Sequence, residues 1–162
     1  MPNKKIRNAT PLEYGNIKFK STLEKLVYKT LVESGLDVQY EPQTFTLWEG
    51  FKPTVPFYDR SKKTKNLELT DKKLIDIKYT PDFVVHYPPG IIAFIEAKGM
   101  ENDVFYIKKK LFRSLLEEAA QNNNTTYYPM YFEVYTKKNV LQAIQLIKDY
   151  AEELTRNQSS NN

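Results

Sequence analysis

Residues 79–99, YTPDFVVHYPPGIIAFIEAKG, restrict what this chain can fold into more than any other stretch. Two apolar runs, Phe83–Tyr87 and Ile91–Ala97, flank the turn residues Pro88, Pro89 and Gly90. Short β-branched and aromatic runs punctuated by Pro and Gly predict a β-hairpin. Asp82 stands just before the first run, and Glu96 and Lys98 close the second. Side chains alternate across a strand, so Glu96 and Lys98 point to one face while Ala97, Ile95 and Ala93 point to the other. A carboxylate and an ammonium ending an apolar strand are costly to bury unless they are paired or used. With Asp82 arriving on the neighbouring strand, the corner becomes rich in oxygen, which suits Mg²⁺, a hard cation. A salt bridge between Lys98 and a carboxylate on an adjacent strand is the plainer reading of the same residues.

The rest of the composition narrows the chemistry. The 162 residues contain no Cys and one His, His86. Disulfides, zinc-thiolate sites and cysteine nucleophiles are therefore excluded, and a Ser-His-Asp triad is a poor fit. His86 reads as a strand-end residue. No apolar run approaches the roughly 20 residues that span a bilayer. The basic opening MPNKKIRNAT lacks an apolar run behind it and does not read as a secretory signal. For a chain of one domain, an intracellular enzyme that uses carboxylates, lysine and a hard metal remains open. Net charge is only +4, but it is unevenly spread. Residues 1–20 and 51–73 are rich in Lys and Arg, whereas the last helical stretch is acidic. Such asymmetry fits either a polyanionic partner or solvated basic segments.

Read in order, residues 1–20 form a basic arm with an extended piece at Ile17–Phe19. Ser21 caps a helix whose apolar face is Leu23, Leu26, Val27, Thr30 and Leu31, and Gly35 ends it. Ser21 and Glu24 also have the spacing of a capping box. Residues 38–48 alternate as a strand. Residues 49–73 are a basic insertion, either a long loop or an extended ribbon. Residues 74–87 form a second strand, with Ile75, Ile77, Tyr79, Phe83 and Val85 on one face unless a bulge intervenes. Ile91–Ala97 is the third strand. A helix over 103–121, capped by Asn102 or Asp103, places Val104, Ile107, Leu111, Leu115 and Ala119 inward, flanked by Phe112 and Leu116. Tyr106, Lys109, Lys110, Arg113 and Glu117 then face outward. Residues 128–136 form a fourth strand. Asn139 caps a last helix, the domain that begins at residue 21 ends at residue 155, and residues 156–162 are expected to be disordered. A hairpin followed by a helix crossing to one more strand predicts a mixed four-stranded sheet with helices on its faces.

The pattern P-D, a spacer of 14 positions, then E-A-K resembles the motif of the PD-(D/E)xK nuclease superfamily. The αβββαβ order over residues 21–136 resembles the restriction-endonuclease-like core of that superfamily, here with an added C-terminal helix. GNIKFKSTLE, followed by YTPDF, EAKG and YIKKKLF, is similar to small phage-encoded nucleases related to junction-resolving endonucleases of the endonuclease I type. The long basic segment 49–73 departs from those relatives.

The resemblance implies a metal-dependent DNA endonuclease acting on branched DNA of the Holliday-junction kind, in a host cytoplasm if phage-encoded. Alternatives on the same fold are a restriction- or repair-type nickase and a catalytically silent DNA-binding or assembly protein. Asp82 and Glu96 would hold Mg²⁺ or Mn²⁺, one or two ions per site, with the Ala97 carbonyl as a further ligand. Lys98 would orient the attacking water or stabilise developing charge. Glu24 matches an acidic residue that completes the metal site in many members, and this role competes with helix capping for one side chain. In the junction-resolving relatives that Glu reaches the partner's site, which implies an element-swapped homodimer, with 1–20 and 49–73 as the candidate exchanging segments. Lys109, Lys110 and Arg113 on the helix after EAKG, with Lys62 and Lys63 in the insertion, are the expected DNA contacts.

Overall fold

A computed structural model describes residues 12–100, 102–122 and 127–160. The elements in order are β1 Leu12–Tyr14, β2 Ile17–Phe19, α1 Thr22–Glu33, β3 Asp37–Tyr40, β4 Phe45–Trp48, β5 Phe57–Arg60, β6 Leu67–Thr70, β7 Ile77–Tyr79, β8 Phe83–Tyr87, β9 Ile91–Ala97, α2 Asp103–Gln121, β10 Tyr128–Val134 and α3 Lys137–Ser160. The central sheet has the strand order β10-β9-β8-β3. The β8–β9 hairpin is antiparallel, β3 pairs antiparallel with β8, and β10 joins β9 in parallel. This is the expected mixed four-stranded sheet. The helix α2 supplies the crossover that a parallel β9–β10 pair requires.

Alternation along the strands divides the core into two layers. On one face Phe83, Val85, Ala93, Ile95 and Val134 pack with Val27 and Leu31 of α1 and with Val140, Ile144 and Ile147 of α3. On the other face Val84 and Phe94 pack with Tyr79, Phe105 and Phe112. The α1 helix starts as the sequence predicts. Ser21 has extended backbone and its side chain accepts the Glu24 amide, while Gly35 adopts a left-handed φ of +77° beyond the last turn. Fully burying Val27 and Leu31 contributes about 1.5–3 kcal/mol each.

Several expectations change. The strand expected over 38–48 is two strands, and so is the one over 74–87. Glu41, at φ 44°, and the Thr80-Pro81-Asp82 corner break them opposite one another, so β3 pairs with β8 and β4 with β7. That break transfers Tyr79 to the α2 side, away from Phe83 and Val85, and leaves Ile75 81% exposed. The 49–73 insertion is a ribbon, with β5 and β6 antiparallel. Its base is clamped where Gly50 donates to Asp76 Oδ1 at 3.0 Å and Leu74 donates to the Phe51 carbonyl at 2.9 Å. In the basic arm, Ile17–Phe19 is extended as expected, but it pairs with Leu12–Tyr14 and packs on the core; residues 1–11 lie outside the described residues. The α2 helix is rotated from its expected setting: Phe105 and Phe112 are buried, while Val104 and Ile107 are 62% and 56% exposed. Aromatic rings fill the gap above Tyr79 and Phe94 better than Val and Ile would. The last helix is capped by Thr136, whose Oγ1 accepts the Asn139 amide, so Asn139 sits inside the first turn. Residues 156–160, expected to be disordered, continue α3, supported by the Arg156–Glu152 ion pair at 3.1 Å. Among the described residues no helix is long and apolar enough to cross a membrane.

Candidate active site

Asp82 sits at the corner between β7 and β8, and Glu96 lies near the end of β9. The β8–β9 register places these two positions on neighbouring strands at one end of the sheet. Both line a single open cavity of about 550 Å³, together with Lys98. Asp82, Glu96 and Lys98, named from the sequence motif, are therefore brought together. The backbone of Ala97 contributes its N–H, which donates to Asp82 Oδ2 at 2.8 Å. This bond fixes the Asp82 carboxylate against the strand at the wall of the cavity.

Glu96 is buried and held from two sides. The Tyr79 hydroxyl donates to Oε2 at 2.6 Å, and the Lys98 ammonium lies 2.7 Å from Oε1. Lys98 in turn stands 3.9 Å above the centroid of the Phe105 ring, whose face attracts the cation. Lys98 does form a salt bridge, but with a carboxylate of the motif itself two residues earlier, near the end of β9, and not with the expected carboxylate on an adjacent strand. Burial raises the phenol of Tyr79 far above its ordinary range, with the Glu96 charge adding to it, so Tyr79 acts here as a hydrogen-bond donor.

Asp82 is electrostatically unfavourable as an anion. Burial, then the charge of Glu96, push its carboxyl up to about 7; the Ala97 N–H and Lys98 oppose this, and Glu24 adds to it. A carboxylate destabilised by burial and by like charge is relieved by a bound cation, and two acidic side chains are what Mg²⁺ commonly takes while keeping several waters. The donor set of Asp82 and Glu96 therefore fits a hard divalent ion. Among the described residues there is no cluster of three or more acidic, His or Cys side chains that could hold a metal. Asp82 and Glu96 are the two carboxylates at this cavity floor that could hold such an ion.

Glu24 takes the capping geometry. Its amide donates to Ser21 Oγ at 3.1 Å, and Ser21 Oγ donates back to Oε1 at 2.9 Å. Oε2 accepts the Lys20 amide at 3.1 Å and the Tyr40 hydroxyl at 2.7 Å. Glu24 is buried and does not line the cavity of Asp82 and Glu96, although its charge is felt at Asp82.

The expected DNA contacts separate. Lys110 and Arg113 are exposed on α2, and Lys62 and Lys63 are exposed at the tip of the β5–β6 ribbon. Lys109 turns inward and pairs with Glu133 at 3.0 Å, with only 16% of its side chain exposed. Glu133 stands in register beside Glu96 on β10, so two carboxylate–lysine pairs lie next to each other. Glu133 and Tyr79 escape a motif-based reading. A lone carboxylate within the apolar strand YPMYFEV was the available signal for Glu133; Tyr79 is one aromatic among many, and only the hydrogen bond distinguishes it. A larger cavity of about 880 Å³ lies between the β8–β9 turn and the end of α3, lined by Lys148, Glu152 and Arg156 among others. It contains none of the motif residues.

No curated protein and no solved structure matches the chain. The profile of one family, described as "Protein of unknown function (DUF1064)", matches residues 4–129, which span the β8–β9 hairpin, Asp82, Glu96 and Lys98. Because that match covers most of the chain, the protein belongs to the DUF1064 family.

Proposed function

We propose that this chain is a divalent-metal-dependent endonuclease of the PD-(D/E)xK type, with a restriction-endonuclease-like core, that hydrolyses phosphodiester bonds in branched DNA. The observation that carries the reading is the meeting of Asp82, Glu96 and Lys98 at one open cavity, from a strand corner and a strand end that the hairpin brings side by side. Asp82 and Glu96 would hold Mg²⁺ or Mn²⁺. When bound, the ion would lower the pKa of a coordinated water and neutralise charge on the phosphate. Lys98, held between Glu96 and Phe105, would present a positive charge to a phosphate in the cavity. Tyr79 and the Ala97 amide hold the two carboxylates in place.

Charge is segregated in a way that suits this chemistry. Asp82 and Glu96 form an acidic floor, and lysines stand at the rim. The floor alone opposes a phosphodiester that the rim lysines attract, and a bound cation would remove that opposition. A homodimer matches the two symmetry-related strands of a four-way junction. The β5–β6 ribbon is the segment available to make it, because Tyr58, Leu67 and Leu69 share one face and are 57%, 72% and 64% exposed. The β1–β2 hairpin, by contrast, packs on its own core.

The test is incubation of the purified protein with a four-way junction, a flap and a linear duplex, with and without Mg²⁺ or Mn²⁺. Metal-dependent cutting of the branched substrates, lost in Asp82→Asn and Glu96→Gln, is expected. Cutting of linear duplex alone would support the nickase alternative. DNA binding without cutting by the intact protein would support the silent-binder alternative.

A further inference from the structure

Three lysines outside the motif converge on the same cavity from three different elements. Lys20 precedes α1, Lys78 lies on β7, and Lys108 lies on α2. A solvated charge run would sit on one segment; these positions are far apart in sequence and share one mouth. Lys20 is tied to Glu41 at the rim, Lys78 lies 3.3 Å from Asp76, and Lys108 has no ion-pair partner among the described residues. Among the described residues none of the three is ion-paired with Asp82 or Glu96, and Glu96 is paired with Lys98.

The remaining polar side chains at the mouth are already engaged. Thr44 and Thr80 share a hydrogen bond of 2.7 Å, the Asn102 side chain accepts the Phe105 amide at 2.8 Å, and the Tyr79 hydroxyl is spent on Glu96. The two rings that line the cavity, Tyr79 and Phe105, are 5% and 6% exposed, so neither offers a face on which a base could stack. Cations therefore outnumber uncommitted neutral polar groups at this mouth, which favours contact with phosphates over base edges. Phosphate contacts carry position without sequence information, whereas sequence is read by hydrogen bonds to base edges.

We infer that this mouth is a backbone reader: Lys20, Lys78 and Lys108 hold phosphates of a nucleic-acid strand around Asp82 and Glu96, and binding there is independent of base sequence. The inference rests on the nuclease reading for its choice of nucleic acid as the polyanion. It sets aside Lys109, whose side chain is only 16% exposed where it meets Glu133, against 67% for Lys20 and 55% for Lys78.

The experiment measures binding in EDTA, so that no strand is cut, by fluorescence anisotropy of labelled duplexes of two unrelated sequences over a salt titration. Lys20→Gln, Lys78→Gln and Lys108→Gln keep side-chain length and remove charge; thermal melting confirms that each is folded. Each variant is expected to reduce the slope of log K against log salt by about 0.9, equally for both sequences. Lys29→Gln, on the exposed side of α1 and paired with Glu33, is expected to leave the slope unchanged. Unchanged slopes in all three variants, a loss confined to one sequence, or no binding by the intact protein at low salt would each overturn the inference. Cleavage measured in parallel separates the two readings. Cutting by the intact protein with unchanged slopes removes only the backbone reader, and slope losses without any metal-dependent cutting remove only the nuclease.

Discussion

Asp82→Asn should make the metal-free protein more stable at pH 8. The carboxyl of Asp82 is pushed from an ordinary 3.8 up to about 7 by burial first and by Glu96 second. A group whose folded-state pKa lies above its unfolded value binds more protons in the native state. Its contribution to stability is complete below about pH 4 and is lost as pH rises through about 7. The gap between the two values, at about 1.4 kcal/mol per pH unit, sets a cost of about 4 kcal/mol for holding the ionised form at pH 8. Water entering the open cavity makes this an upper bound. Asn is neutral and its amide oxygen can still accept the Ala97 N–H, so the substitution removes the charge and keeps the hydrogen bond. Urea denaturation in EDTA at several pH values measures the effect. The variant should gain on the order of 2–4 kcal/mol at pH 8, with the gap shrinking to below about 1 kcal/mol at pH 4. Millimolar Mg²⁺ should then stabilise the wild type and leave the variant unaffected, because a ligand that binds only the native state raises its stability. A variant less stable than wild type at pH 8, or a difference that does not vary between pH 4 and 8, would refute the reasoning.

Other substitutions test the neighbouring parts. Lys98→Ala should reduce metal-dependent cleavage by about 10²–10⁴-fold, as expected for a positioned electrostatic or proton-transfer group, and near-wild-type rates would remove Lys98 from the site. In Glu24→Gln the amide oxygen can still accept from Tyr40 and the Lys20 amide while its NH₂ donates to Ser21 Oγ, so denaturation should show a loss of less than about 1 kcal/mol; a collapse of cleavage without such a loss would assign Glu24 to the metal site. Phe112→Ala should cost about 3–5 kcal/mol by denaturation, since Phe112 is fully buried at the centre of the α2-side cluster. Gly50→Ala should loosen the base of the β5–β6 ribbon, because an added Cβ would lie 2.0 Å from the Leu74 carbonyl oxygen; faster hydrogen exchange over residues 49–76 is the readout. Sedimentation of a Tyr58→Ser, Leu69→Ser double variant should shift from dimer to monomer, and an intact protein that sediments as an active monomer would exclude the dimer.

Local chemistry was enough to determine the parts whose signals are short in range. The Ser21 cap and Gly35 terminate α1 through interactions within a few residues, and the Pro-Pro-Gly turn and apolar runs define the β8–β9 hairpin. Once that hairpin exists, period-two alternation places Glu96 and Lys98 on one face, so Asp82, Glu96 and Lys98 were legible as a group before any coordinates. Where two segments must break together, the sequence was silent. The paired corners at Glu41 and Asp82 divide two strands into four, because β3 and β8 pair in the sheet while β4 and β7 turn onto α2. That turn decides that Tyr79 reaches Glu96 and does not join Phe83. The rotation of α2 was likewise decided by packing: its periodicity allows either an aliphatic or an aromatic stripe to face inward, and the space above Tyr79 and Phe94 selects Phe105 and Phe112. The inward turn of Lys109 to Glu133 and the meeting of Lys20, Lys78 and Lys108 at one mouth follow from the same two events. Each is a contact between residues distant in the chain, and such contacts exist only after the layers have closed on one another.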